Sequence, residues 1–395
     1  MPRATLENEF MQLKTDNSVI EAWRGLAAWM VLYSHYWSFG DAAHPLGRFS
    51  HTGVDLFFVI SGFVFAPYWW STELQGPRQL TAFAVRRFFR IYPAYAAALL
   101  LYVWLKSVSG GPLLYVAEHL TFFHVQSREM AFYYNAPFWS LPAELEFYLA
   151  LPLLSWFAQR IKGGFVMVCI AAVWGRLVLG EKHNWESQNF AYIAMHHLPG
   201  LLCEFMLGTL AWKAWKSWRL WLSWGASSGL QTAEDKGPQT PTLLSIVLLF
   251  AFGVGAWLAL AQYFSNVGDE GVRAGVLKGQ MGLLAAACFA LMVLGSVLLH
   301  QRVLALKAPF LENWLGSKIL KSLAMLAGKV SYGVYLLHIA LLILVQQHAN
   351  SWLNDSQIKW SAAGLTLLAS WLLHELWEGP FRAWGRAMAQ KIQRP

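Results

Sequence analysis

Polar and apolar positions along this chain fall into long blocks, with apolar runs of helix length separated by short polar segments. A helix that crosses the hydrocarbon core of a bilayer needs about 20 mostly apolar residues. Ten segments reach that scale: 18–40, 51–70, 91–108, 139–159, 163–180, 192–212, 241–264, 279–300, 327–348 and 358–378. The pattern predicts an all-α fold, a polytopic membrane bundle of about ten transmembrane helices. Residues 1–395 read as one integral-membrane domain with no fused soluble domain, interrupted by a Gly/Ser/Pro-bearing linker loop at 222–241. A second irregular piece, 109–138, contains "LLYVAEHLTFF", which is too short to span and either lies in the interface or re-enters the bundle. No internal repeat is evident, which weighs against a secondary transporter built from inverted repeats.

Composition agrees with the membrane reading. Hydrophobic residues make up 56% of the chain and charged residues only 13%, whereas soluble domains carry about 25% charged residues. The 22 Trp and 14 Tyr suit membrane–water interfaces. The net charge of +8 invites a nucleic-acid reading until the basic residues are sorted by side. With the N- and C-termini in the cytoplasm, 22 of the 30 Lys and Arg fall on the cytoplasmic side, as the positive-inside rule requires. The charge is therefore topological, and no nucleic-acid partner is expected. The polar start "MPRATLENEFMQLKTDNS" lacks the apolar core and small-residue cleavage site of a signal peptide, so the first apolar helix is expected to direct insertion. Cys169, Cys203 and Cys288 sit in apolar runs with neither metal-site nor disulfide spacing, and read as small buried hydrophobes.

Ionisable residues inside membrane helices are expensive and mark function by default. Arg24 and His35 lie eleven residues apart in the first segment, "RGLAAWMVLYSHYW". At 100° per residue they share one helix face, ~16 Å apart along the axis. Arg24 sits at the cytoplasmic edge and His35 in the outer part. Asp55, about four residues into the second segment, and Glu144, about five into the fourth, enter from the same side, so their depths match that of His35. A carboxylate hydrogen-bonded to a histidine fixes its tautomer, the arrangement of a general base with an orienter. Glu146 lies about 200° round the helix from Glu144, so one of the two is expected to face the histidine, and Glu144 is preferred. At the inner side, "AVRRFFRIYPAY" places Arg86, Arg87 and Arg90 within one helical turn, and arginine forks match phosphate oxygens. His338 reads as a histidine bonding across helices. His196 and His197 lack the further ligands of a zinc site, so no metal is expected.

These residues and their surroundings resemble the acyltransferase 3 family of membrane-bound acyltransferases. The likeness covers almost the whole chain. It rests on Arg24 and His35 at the family's Arg-x10-His spacing, "GVDLFFVISGF", "RRFFRIYP" with the Arg-x-x-Arg pair Arg87 and Arg90, "WSLPAELEFYLALP", "SYGVYLLHIALL" and "ELWEGPFR", in family order. Family members often carry adjacent acidic residues where this chain has Glu144, Leu145 and Glu146, so which glutamate matters stays open. The resemblance implies transfer of an acyl group, usually acetyl from acetyl-CoA, to a hydroxyl of a carbohydrate or lipid-linked glycan. On that basis CoA phosphates are expected on Arg87 and Arg90, with Arg86 and Arg24 nearby. His35, oriented by Asp55 or Glu144, would act as general base or itself carry the acyl group. A bacterial inner membrane is the expected location, with membrane lipids as neighbours and oligomerisation open. Two other classes remain at this point: a glycan transporter or flippase using the same charged layer, and a non-catalytic assembly partner.

Overall fold

The computed structural model describes residues 18–37, 44–184, 186–227, 242–274, 277, 279–305 and 318–393. The N-terminal stretch and most of the expected linker (228–241) lie outside the described residues. Helices stand at all ten expected segments, and no strand occurs among the described residues. They are α1 (Ser18–Trp37), α2 (Gly53–Phe65), α3 (Pro77–Val108), α4 (Ser140–Arg160), α5 (Gly164–Lys182) and α6 (Leu198–Ser227). They continue as α7 (Leu243–Ala274), α8 (Met281–Ala305), α9 (Lys318–Ala349) and α10 (Asp355–Leu373), followed by α11 (Gly379–Gln393). The sixth helix runs on to Ser227, past the start expected for the linker.

Seven helical stretches among the described residues, from Pro45–Trp70 to Lys318–Ala349, are long and apolar enough to cross a membrane. The chain is a multi-pass membrane protein. The helices α1, α4 and α10 fall outside those seven. The first two carry the ionisable groups considered below, so length and apolarity alone support fewer spans than the ten expected.

Local chemistry sets the ends of several helices. Pro77 opens α3 directly after Gly76, where the missing N–H of proline costs nothing. Asn354 caps α10, accepting from the Gln357 backbone while the Gln357 side chain accepts from that of Asn354. Where α2 crosses α6, a Cβ on Gly62 would strike the Phe205 carbonyl and one on Gly208 the Val59 carbonyl. Glycine on both partners brings these backbones together, as membrane helix packing favours. The first helix lies between α2 and α9, which in turn packs on α10. Large apolar residues such as Leu100, Trp104, Leu149, Trp156 and Ile170 remain exposed around the bundle. That surface is suited to lipid.

The segment after α3 re-enters the bundle. Tyr133 Oη donates to the Pro112 carbonyl (2.5 Å), and Lys106 Nζ lies 4.3 Å from the Tyr133 ring, so both arms of the hairpin start at the end of α3. The tip reaches eleven residues back along that helix, where Phe122 stacks on Tyr95 (4.5 Å) and Tyr95 Oη donates to the His119 carbonyl. That is a descent of ~16 Å. Inside the hairpin the fully buried rings of His119 and His124 stack 4.2 Å apart. His119 Nδ1 is 2.8 Å from the Tyr115 carbonyl and His124 Nε2 is 3.1 Å from that of Phe138. Burial pushes His119 down, and His124 falls to about 4 through burial and the neighbouring His119.

Candidate active site

Two cavities lie in line within the bundle. One, called outer after the side expected for the His35 end of α1, has a volume of about 370 Å³ and is lined by His35, Asp55, Trp139, Arg176, Tyr192 and His196. The inner one, of about 320 Å³, is lined by Arg24, Arg90, Glu144, Lys329, Arg382 and Arg386. A septum separates them. Phe57 meets Tyr335 edge-on (5.6 Å) and Phe58 meets Trp139 (6.3 Å). Tyr335 Oη donates to the Pro137 carbonyl and lies 2.5 Å from Ser140 Oγ.

His35 is held from one side. Its Nδ1 is 2.8 Å from the Val31 carbonyl and 3.4 Å from His338 Nε2, and the two rings are 5.1 Å apart. His338 is fully buried, and its own Nδ1 is 2.8 Å from the Val334 carbonyl. Backbone carbonyls accept only, so both Nδ1 atoms carry the proton, an assignment drawn from the hydrogen-bond network. His338 Nε2 is then a lone pair beside the His35 Nδ1–H, and His35 Nε2 keeps its own lone pair. That is the form a general base needs. Arg24, on the same helix, forms an ion pair with Glu21 at 3.3 Å and faces the inner cavity. The shared face inferred from helical spacing thus runs between both cavities.

Asp55 shares the outer cavity with His35, but its carboxyl lies with a different group of side chains. It meets Glu204, which is fully buried and paired with Arg176 Nη1 at 3.5 Å. Arg176 also donates to the Gly200 carbonyl (2.9 Å). The three side chains converge on Gly282, where any Cβ would collide with the Asp55 carboxylate. Nothing in the sequence pattern singled out Glu204 or Arg176, which come from helices without a motif.

Glu144 lies on the inner side of the septum. It accepts from Ser61 Oγ (3.3 Å) and from Tyr148 Oη, and it lines the cavity that holds Arg24. Glu146 points away from both cavities. It pairs with His197 Nδ1 (2.5 Å) and accepts from the Leu198 backbone N–H (2.7 Å), capping α6, while His197 Nε2 reaches the Val125 carbonyl of the hairpin (2.9 Å). Neither glutamate touches His35.

The expected arginine group divides. Arg24 and Arg90 line the inner cavity. Arg86 contacts Tyr68, and Arg87 lines a separate lateral cavity with its guanidinium carbon 4.9 Å from the Phe65 ring centre. Cations from the far end of the chain join Arg24 and Arg90 instead. After α10 the chain makes a π-helical turn (His374–Glu378), and α11 packs on α3 with Gly385 against Phe89. Glu378 accepts from Arg382 Nη1 (2.9 Å) and lies 3.2 Å from His374 Nδ1, so Arg382 is fixed at the rim with Arg386 beside it. The motif "ELWEGPFR" was the sequence signal for this corner, but it named no role. No group of three or more metal-ligating side chains occurs among the described residues.

The family described as "Acyltransferase domain" (acyltransferase 3) matches residues 17–375. The chain belongs to that family. It is also similar to "Nodulation protein 10" of Rhizobium leguminosarum bv. viciae, 26% identical over 216 residues, which cover 48% of this chain and 57% of that protein. The chain thus spans little more than half the length of that relative. No solved structure matches.

Proposed function

We propose that the protein transfers an acyl group, acetyl in the simplest case, from acyl-CoA in the inner cavity to a hydroxyl of a carbohydrate or lipid-linked glycan in the outer cavity. The supporting observation is that the helix presenting Arg24 to a basic cavity presents His35, with Nε2 unpaired among the described residues, to a second cavity beyond it. Donor phosphates dock on Arg24, Arg90, Arg382 and Arg386, where guanidinium forks match phosphate geometry. Glu144 balances this basic cavity and orders it through Ser61 and Tyr148. The pantetheine arm passes the septum of Phe57, Phe58 and Tyr335 and brings the thioester to His35.

There His35 Nε2 removes the acceptor hydroxyl proton as the oxygen attacks the thioester carbonyl. The carbon–sulfur bond breaks and CoA leaves as the thiolate, which takes up the proton. His338 and the Val31 carbonyl hold His35 in the required tautomer, and Asp55, beside the Glu204–Arg176 ion pair, keeps a carboxyl in the same cavity. With the basic end cytoplasmic, the acceptor is presented on the far side of a bacterial inner membrane. Thiol release from acetyl-CoA by the purified protein, dependent on an added glycan acceptor, tests this. Glycan movement without acetyl-CoA consumption would favour the transporter reading instead.

A further inference from the structure

A third cavity lies between α3, α4 and the tip of the re-entrant hairpin. At about 600 Å³ it is larger than the inner and outer cavities and within the roughly 300–1,000 Å³ typical of ligand sites. Its walls are apolar over most of their area, with Leu80, Ala84 and Phe88 on one side, Leu145 and Leu149 on the other, and Phe122 at the end. The rim belongs to the lipid-facing surface, where Phe88 is 50% and Leu149 68% exposed. A hydrocarbon chain suits such a site and an adenine nucleotide does not.

One charge enters this cavity. The Arg87 guanidinium lies among the rings of Phe65, Phe83 and Tyr148, its carbon 4.9 to 5.8 Å from their centres. Its Nε is buried without a hydrogen-bond partner, and no carboxylate pairs with Arg87 among the described residues. Ring faces attract a cation but do not neutralise it. An uncompensated guanidinium in an apolar, membrane-embedded pocket is costly until an anion meets it. Arg87 stands in the first third of α3, in the part that also carries Arg78, Arg86 and Arg90, and such basic clusters at the end of a span attract anionic lipid headgroups.

We propose that this cavity binds an anionic phospholipid from the leaflet at the basic end of the bundle. An acyl chain lies in the groove between α3 and α4, and the phosphate meets Arg87. The two arginines of the Arg-x-x-Arg pair then serve different anions, Arg90 in the inner cavity and Arg87 at the lipid. This site stands independently of the acyl-transfer reading, because it needs neither donor nor acceptor.

Native mass spectrometry of the full chain in detergent, with phosphatidylglycerol and phosphatidylcholine added at equal concentration, tests it. The wild type is expected to retain phosphatidylglycerol in preference, and added coenzyme A or inorganic phosphate should leave it bound. Arg87→Leu should abolish the preference. Ala84→Trp, which fills the groove and keeps the charge, should lose retention of both lipids, while Arg90→Leu should keep the preference. Circular dichroism establishes that each variant is folded, and the wild-type arms decide alone if a variant is not. Equal retention of both lipids by the wild type would overturn the proposal, as would survival of the preference in folded Arg87→Leu or undiminished lipid retention in folded Ala84→Trp. Displacement of the lipid by coenzyme A, or equal loss in Arg90→Leu, would also overturn it and assign Arg87 to the donor.

Discussion

His338 Nε2 lies 3.4 Å from His35 Nδ1, and it is the nearest side chain on another helix to hydrogen-bond His35. His338 is itself fixed by the Val334 carbonyl, so its lone pair faces the proton that must stay on His35 Nδ1. Removing it leaves His35 Nδ1 with contacts from its own helix, the Val31 carbonyl at 2.8 Å and Ser34 Oγ at 3.4 Å. His338→Ala is expected to lower kcat roughly 10- to 100-fold, less than the about 10²–10⁴-fold that general-base catalysis itself contributes. KM for acyl-CoA should stay constant. His338→Asn, whose amide oxygen can accept from the same proton, should recover part of the loss in steady-state assays.

Arg382 lines the inner cavity and donates to Glu378 at 2.9 Å. A hydrogen bond to a charged group is worth about 1.5–3 kcal/mol. Arg382→Gln is expected to raise KM for acyl-CoA at least about tenfold with a smaller change in kcat. Glu378→Gln should shift KM in the same direction by less. Acyl-pantetheine, which lacks the nucleotide phosphates, should hardly distinguish these variants from the wild type. Equal effects on both donors would remove the phosphate role from Arg382.

Glu146 and Glu144 separate by function. Glu146→Gln breaks the pairing with His197 and weakens the cap on α6. Because its side chain is 34% exposed, the loss should be near the low end for such contacts, about 1 kcal/mol, seen as a lower Tm. The kcat of the folded fraction should not change. Glu144→Gln, in the basic cavity, should instead change donor binding and leave Tm nearly constant.

The buried hairpin histidines make a signed pH prediction. Folding lowers His124 from an ordinary value near 6.5 to about 4, so the unfolded chain binds the extra proton between those values. Stability from this residue is present above about pH 6.5 and is lost as pH falls toward 4. Thermal unfolding measured across that window should fall more steeply for the wild type than for His124→Gln. Parallel curves would show that the pair does not titrate this way.

The sequence made parts of this site legible because they follow from helix geometry. Arg24 and His35 share a face by their spacing, and equal depth brings Asp55 to the cavity of His35. Re-entry was one of two readings of "LLYVAEHLTFF", and the structure selects it. Depth counting did not resolve Glu144. Trp139 and Ser140 already form the septum at the start of α4, so a residue one turn later lies on its inner side, whereas Asp55 precedes Phe57 and stays outside. The Glu204–Arg176 ion pair and the Arg382 corner depend on which helices pack together, and local periodicity does not carry that. His338 does bond across helices, as read, but its partner emerged only from the packing of α9 on α1.

Acetyl transfer by purified His35→Ala protein is the most direct measurement. With labelled acetyl-CoA and a glycan acceptor, the variant is expected to bind donor as the wild type does, because Arg24 and Arg90 are untouched, while transfer falls by about 10²-fold or more. Wild-type rates of transfer in a correctly folded His35→Ala protein would contradict the assignment of His35 as the base, and with it the chemistry proposed for the outer cavity.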